Sequence, residues 1–289
     1  MSQMSFQPEK LLILGCGDIG LRLVRTLSVE GYSVIGIRRQ VHSYSSTNFV
    51  YRQADLYQAS ALQLLLEQEQ PDIIVITMTP GERSDQGYQQ AYVQTCDYLI
   101  QHLRLLNQKP RLILFVSSTA VYAQDDGSLV DEFSITEPDT FSGKRLLEAE
   151  RILQASEFPV CIVRFSGIYG PGRERLINQV KSGKISVSSA YTNRIHADDC
   201  ARVLAHLIEK QKTSTIDDLY LATDSCPETL HQVHVWLADQ LNIKNPILSV
   251  EANERGNKKV SNARLLNSGF EFLYPGYQQG YTALIAEKS

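Results

Sequence analysis

The hexapeptide Gly15-Cys16-Gly17-Asp18-Ile19-Gly20 is where the chain most plainly offers chemistry. A G-x-G-x-x-G between a strand and a helix turns tightly at its first glycine. The second lets the backbone approach a pyrophosphate, and the third packs helix against strand. The helix start then presents free N–H groups and a positive dipole end to the phosphates. Gly15, Gly17, Asp18, Ile19 and Gly20 are therefore candidates to hold a dinucleotide; the plainer alternative is a βα turn with incidental glycines. The end of the next strand selects the cofactor: a carboxylate there holds the ribose 2′-hydroxyl of NAD, whereas an arginine accommodates the 2′-phosphate of NADP. The chain has Arg38 and Arg39, the first 18 residues past Gly20, and no carboxylate at that point. A guanidinium meets a phosphate through charge-assisted, often bidentate bonds, so NADP is expected rather than NAD. Two solvated arginines at a strand end are the alternative. Asp55 is placed either to bond an adenine amine or to cap a turn. Thr77, Met78 and Thr79, in the stretch Thr77-Met-Thr-Pro-Gly81, border the cofactor, form a Pro-Gly turn, or do both.

The elements that must position these residues follow from the apolar pattern. Short β-branched runs alternate with longer amphipathic stretches, the mark of βαβ units and a parallel sheet. Strands are expected at Leu11–Leu14, Ser33–Ile37, Phe49–Arg52, Ile73–Thr77, Leu112–Ser117 and Val160–Arg164. Helices are expected at Ile19–Glu30, Ala59–Gln68, Ser84–Asn107 and Gly143–Ser156. Beyond about Gly170 the rhythm is irregular, with helices near Arg173–Ser182, Ala197–Glu209 and Glu228–Leu241. The expected fold is α/β: a doubly wound parallel sheet (Rossmann fold) over residues 1–165. Residues 166–289 then supply the interleaved end of the sheet and a small, mostly helical substrate lobe.

Composition narrows the function class. With 289 residues, 43% hydrophobic and 21% charged, the chain can bury a full core without disulfides or a structural metal. A net charge of −4 argues against a dedicated nucleic-acid binder. Five scattered cysteines without a C-x-x-C pair read as small core residues in a reducing compartment. The polar opening MSQMSFQPEK lacks signal-peptide character. The apolar runs fall far short of the roughly 18 residues of a membrane span. A cytoplasmic protein, with no membrane partner, is expected.

Further motifs stand in a fixed order: Phe115-Val-Ser-Ser-Thr-Ala-Val-Tyr122, then Lys144 with Glu148, then Arg164-Phe-Ser-Gly-Ile-Tyr-Gly-Pro-Gly172, then Arg194-Ile-His-Ala-Asp-Asp199. Together with the glycine loop they resemble the extended short-chain dehydrogenase/reductases of the NAD-dependent epimerase/dehydratase group, through most of the chain. The resemblance implies that Ser118 holds the substrate oxygen and that Lys144, 26 residues on, binds the nicotinamide ribose. It also implies a proton-exchanging tyrosine four residues before that lysine. Here the sequence departs from the pattern, because that position is Thr140. A phenol with pKa near 10 can be brought toward neutrality by a cation, but an aliphatic hydroxyl is a far weaker acid. Thr140 retains the capacity to hydrogen-bond a substrate or relay a proton through water. Tyr122 and Tyr169 are candidates to take the tyrosine's place, and both are equally good packing residues with a polar handle. The chain in this respect resembles atypical members of the superfamily.

Ser166, beside the nicotinamide by the same resemblance, joins the cofactor candidates. Tyr169, Arg173 and Arg194 are candidates for a small, anionic substrate. His196 with Asp198 and Asp199 is read as structural rather than metal-binding, the two carboxylates starting a helix. His231 and His234 are assigned a surface or partly packed position, so no metal is expected. Two functions follow: an NADP-dependent oxidoreductase or epimerase acting on a hydroxyl or carbonyl carbon of a small, nucleotide-sugar-like substrate, or a catalytically degenerate NADP(H) sensor or scaffold. Oligomeric state is left open by the sequence; in the family it resembles, homodimers often form through the helices that are here Ser84–Asn107 and Gly143–Ser156.

Overall fold

In the computed structural model, residues 8–27, 31–40, 45–249 and 256–287 are described. Seven strands form the main sheet: β1 (Glu9–Leu14), β2 (Tyr32–Arg38), β3 (Phe49–Gln53), β4 (Ile73–Ile76), β5 (Leu112–Ser118), β6 (Val160–Phe165) and β7 (Leu219–Ala222). Their order is 7-6-5-4-1-2-3, and the pairings from β3 across to β5 are parallel. The chain first builds outward from β1 through β2 to β3, then returns to place β4 on the other side of β1. That reversal is the topological switch point of a doubly wound sheet. Ile73–Ile76 and Leu11–Leu14 are wholly buried, as continuous apolar strands in a covered parallel sheet must be.

The helices are α1 (Asp18–Thr26), α2 (Ala59–Glu69), α3 (Asp85–Tyr88), α4 (Thr95–Leu105), α5 (Phe141–Gln154), α6 (Arg175–Lys181), α7 (Ala197–Thr213), α8 (Leu230–Gln240), α9 (Ala263–Asn267) and α10 (Tyr277–Ala286). α1 buries Ile19 and Leu23 and stops at Thr26, short of the expected end; residues 28–30 lie outside the described residues. α2 ends where Gln70 turns left-handed (φ +47°) ahead of Pro71, a stop the sequence announces. The single helix expected over Ser84–Asn107 is instead α3 and α4 joined by a π-helical turn at Gln89–Gln94. No helix among the described residues is long and apolar enough to cross a membrane.

The chain divides into two compact units and crosses between them repeatedly. The first holds residues 1–121, 138–163 and 204–219; the second holds 122–137, 164–203 and 220–289. The second unit is less helical than its sequence suggests. Its described residues also carry four short ladders, pairing 129–130 with 259–260, 167–169 with 194–196, 184–186 with 247–249, and 191–192 with 228–229. Two- and three-residue strands leave no period for a sequence to display. His231 and His234 both grip Ser186: the ring of His234 accepts its N–H (2.8 Å) and His231 meets its carbonyl (2.8 Å). His234 is fully buried, so the expected surface or partly packed position is corrected for that residue.

Four of the five cysteines are buried and Cys226 is exposed, against the expectation that all five would be core residues. Cys16 is the most constrained by glycine: a Cβ at Gly36 would come within 2.8 Å of its Sγ, and one at Gly20 within 3.0 Å. Gly36→Ala should therefore destabilise the fold by about 1–3 kcal/mol through overpacking. Urea unfolding measures the loss, and adding Cys16→Ala should return part of it.

Candidate functional site

In the first unit, the loop after β1 is shaped by Gly15, whose φ of +79° is costly for any residue with a side chain. A Cβ there would also lie 2.8 Å from the Cα of Met78. Thr77 donates its hydroxyl to the Gly15 carbonyl (3.0 Å) and its N–H to that of Leu14 (2.9 Å), while the Cys16 N–H donates to Ile37 (2.9 Å). Thr77 and Met78 thus buttress the loop from behind. At Gly17 a Cβ would find its nearest neighbour 3.8 Å away, so the space before it is open. α1 begins at Asp18 without a side-chain cap, which leaves first-turn N–H groups for a ligand. The Asp18 carboxylate is drawn along the helix to Arg22 (2.8 Å). These residues fit a dinucleotide pyrophosphate.

Asp55 accepts the Tyr57 N–H (3.2 Å), as a turn cap does. Arg39 is exposed just past β2, with its guanidinium carbon 5.2 Å from the centre of the Tyr57 ring. The charge of Arg38 acts instead on the Tyr51 hydroxyl and the Cys16 thiol. Burial pushes that thiol up to about 12, so Cys16 is inert at neutral pH.

The same unit holds Ser118, Thr140 and Lys144. Ser118 accepts the Ala120 N–H (3.2 Å), which leaves its own proton available to a ligand oxygen. Thr140 is the N-cap of α5: its hydroxyl accepts the Gly143 N–H (3.2 Å) and lies 3.1 Å from that of Ser142. Gly143 is pressed so close to the preceding turn that a Cβ would lie 2.4 Å from the Ala120 carbonyl. Further along α5, buried Ser117 donates to buried Glu150 (2.5 Å). Lys144 is exposed, and Asp85 is within its electrostatic reach; the Arg145 guanidinium chiefly, and Lys144 in addition, hold the Asp85 carboxyl below its usual range.

In the second unit, Tyr122 donates its hydroxyl to the Asp131 carbonyl (2.8 Å) and accepts from Arg164 (2.6 Å). A phenol so engaged is a structural tie, which corrects its nomination as a proton donor. Tyr169 is buried, with its ring 4.4 Å from that of Tyr281 and its hydroxyl so close to Gly280 that a Cβ would lie 2.0 Å away. Burial drives its pKa far above the usual phenol range, the wrong direction for a general acid at neutral pH. Arg194 is buried too, its Nη2 bonded to Thr192 and its guanidinium carbon 5.5 Å from the Tyr277 ring centre. Ser166 is buried and Arg173 exposed. Asp199, rather than merely starting a helix, accepts the N–H groups of Leu273 (2.7 Å) and Tyr274 (2.9 Å).

Sequence reasoning passed over Tyr57, which follows Asp55 in the same turn, and Asp224, which follows β7. Neither falls in a recognisable motif. The carboxyl of Asp224 is buried, accepts the Cys226 N–H (3.1 Å), and is pushed up to about 7 by burial against the opposing pull of Arg194.

The model of the NAD dependent epimerase/dehydratase family matches residues 11–221. The chain is 26% identical to Protein YeeZ of Escherichia coli K12 over 278 residues, covering 92% of this chain and 97% of that protein. A structure described as an NAD-dependent epimerase/dehydratase of Methylobacillus flagellatus superposes with a TM-score of 0.81 at 36% identity, covering 98% of this chain and 99% of that one. MoeE5, in complex with UDP-glucuronic acid and NAD, has the same fold at 19% identity and a TM-score of 0.77, covering 95% and 96% of the two chains.

Asp224 sets a pH dependence with a definite sign. Its folded pKa lies above the ordinary carboxyl range, so the folded state holds the proton longer and stability falls as pH rises from about 4 to about 7. Asp224→Asn should remove that fall, on the order of a few kcal/mol. Denaturant midpoints of both proteins at a series of pH values check it.

Proposed function

The chain belongs to the NAD dependent epimerase/dehydratase family, and from that premise we propose that it binds NADP(H) and acts at a hydroxyl or carbonyl carbon of a small, nucleotide-sugar-like substrate. The observation that carries the cofactor half is the exposed guanidinium of Arg39 at the end of β2, paired with no carboxylate among the described residues, beside a glycine loop open for a pyrophosphate. Gly17 and the start of α1 receive the phosphates. Arg39 receives the 2′-phosphate, and Lys144 bonds the ribose hydroxyls. Bound there, the nicotinamide supplies a hydride donor or acceptor. Ser118 donates its free proton to the substrate oxygen and so orients the reacting carbon. The substrate class draws support from MoeE5, a family-fold protein seen with UDP-glucuronic acid.

A second reading, an NADP(H)-responsive binding protein without turnover, is favoured by one observation. Thr140 caps a helix, Tyr122 is tied to Asp131 and Arg164, and Tyr169 is buried against α10. None of the three hydroxyls is poised to exchange a proton at neutral pH, so turnover requires water relayed past Ser118 and Lys144.

Titration followed by nicotinamide fluorescence is expected to show NADPH binding about ten- to a hundred-fold more tightly than NADH. Binding of neither would sink both readings. Given binding, a panel of UDP-sugars and simple ketones separates them. An enzyme shows turnover that collapses in Lys144→Ala and falls in Ser118→Ala, with NADPH binding retained in Ser118→Ala; a responder shows none in any form.

A further inference from the structure

Three loops of the first unit converge at the end of β2. Arg39 lies over the ring of Tyr57, its guanidinium carbon 5.2 Å from the ring centre. Tyr57 in turn accepts the Gly81 N–H through its hydroxyl (3.2 Å), and its own N–H is held by Asp55 (3.2 Å). Gly81 faces the outer edge of the guanidinium: a Cβ there would lie 3.1 Å from Nη2 and 3.2 Å from Nη1. Among the described residues Arg39 forms no ion pair.

A guanidinium binds an aromatic ring through its face and an oxyanion through its in-plane N–H groups. The two contacts do not compete. A ring beneath the guanidinium restricts a long, flexible side chain before any ligand arrives, and pre-organised groups lose less entropy on binding. The Gly81 backbone stands close in front of the Nη1–Nη2 edge and bounds the guanidinium on that side.

Resting on the NADP reading above, we propose that Tyr57 is the positioning residue for NADP selectivity: it holds Arg39 in place to meet the 2′-phosphate, with the Gly81 backbone bounding the guanidinium on its Nη1–Nη2 side. Arg39 is the reader of the phosphate, since it is the arginine held between the loops that meet at the end of β2. Tyr57 touches the arginine rather than the phosphate, so its effect falls on the ratio of NADPH to NADH affinity and not on dinucleotide binding in general.

The test is a set of NADPH and NADH titrations at one fixed, low ionic strength, with thermal melts confirming that each variant is folded. Arg39→Ala should weaken NADPH about ten- to a hundred-fold and change NADH by less than about threefold. Tyr57→Leu should lower the NADPH:NADH affinity ratio by about three- to tenfold, and Tyr57→Phe, which keeps the ring, should lower it less. Gly81→Ala should weaken NADPH selectively by crowding the guanidinium edge. Arg38→Ala should leave the ratio near that of the unmodified protein. An unchanged ratio in Tyr57→Leu, or its loss in Arg38→Ala instead of Arg39→Ala, overturns the assignment while leaving the NADP reading intact. Unmodified protein that binds neither nucleotide, or prefers NADH, overturns the NADP reading and the assignment with it. Should Tyr57→Leu fail to fold, Tyr57→Phe and Gly81→Ala decide alone: a ratio unmoved in both is the overturning result.

Discussion

Cys16 sits where three backbone segments meet, and the nucleotide loop depends on how closely they approach it. Its side chain occupies the space that Cβ atoms at Gly20 and Gly36 would need, and its N–H donates to Ile37. A larger residue at either glycine would push α1 away from β1, or β2 out of register with it. The same closeness sets the start of α1 directly behind Gly17 and brings β2 to its end at Arg38 with Arg39 just beyond. Burial makes the thiol unreactive as a consequence, so this cysteine acts through its size alone. The loop is then fixed from its other side by Thr77 and Met78, which makes the β4 loop part of the scaffold.

A second constraint governs α5. Gly143 lies against the Ala120 carbonyl and Glu150 accepts from Ser117, so the helix is fastened to β5 and the following turn at two points two turns apart. This seating fixes where Lys144 emerges. It also explains why threonine suits residue 140. At the N-cap a short hydroxyl satisfies the otherwise orphaned Gly143 N–H, a role for which threonine is strongly preferred.

Legibility in the sequence followed the length of the regular element. The βαβ alternation, the glycine loop and the strand-end arginines were readable because each rests on a period or a spacing fixed by backbone geometry. The π-helical turn at Gln89–Gln94 was not, since its extra residue per turn leaves an apolar pattern close to that of an α-helix. The short ladders of the second unit were equally invisible. Tyr122 and Tyr169 looked like candidate acids because sequence records a residue's type and not its hydrogen bonds. Only the contacts with Asp131, Arg164 and Gly280 show those phenols tied or buried. Asp224 and Tyr57 belong to no motif, and their environment is made by segments distant in the chain.

The pair Arg38-Arg39 marks the boundary of what spacing alone can decide. Successive residues of a strand project to opposite faces, so two adjacent arginines do not serve one phosphate alike. Sequence places the last residue of a strand only to within a residue or two, and a shift of one exchanges the roles of the two side chains. What distinguishes them is the company each keeps. Arg38 is half-buried as the last residue of β2, while Arg39 rests on the turn after β3 and faces the loop after β4. Those two loops lie at the carboxyl ends of β3 and β4, on the two sides of the β1–β2 pair, at the edge where open α/β sheets bind their ligands. The same topology that puts β4 beside β1 therefore gathers Tyr57 and Gly81 around one arginine and leaves the other to the sheet.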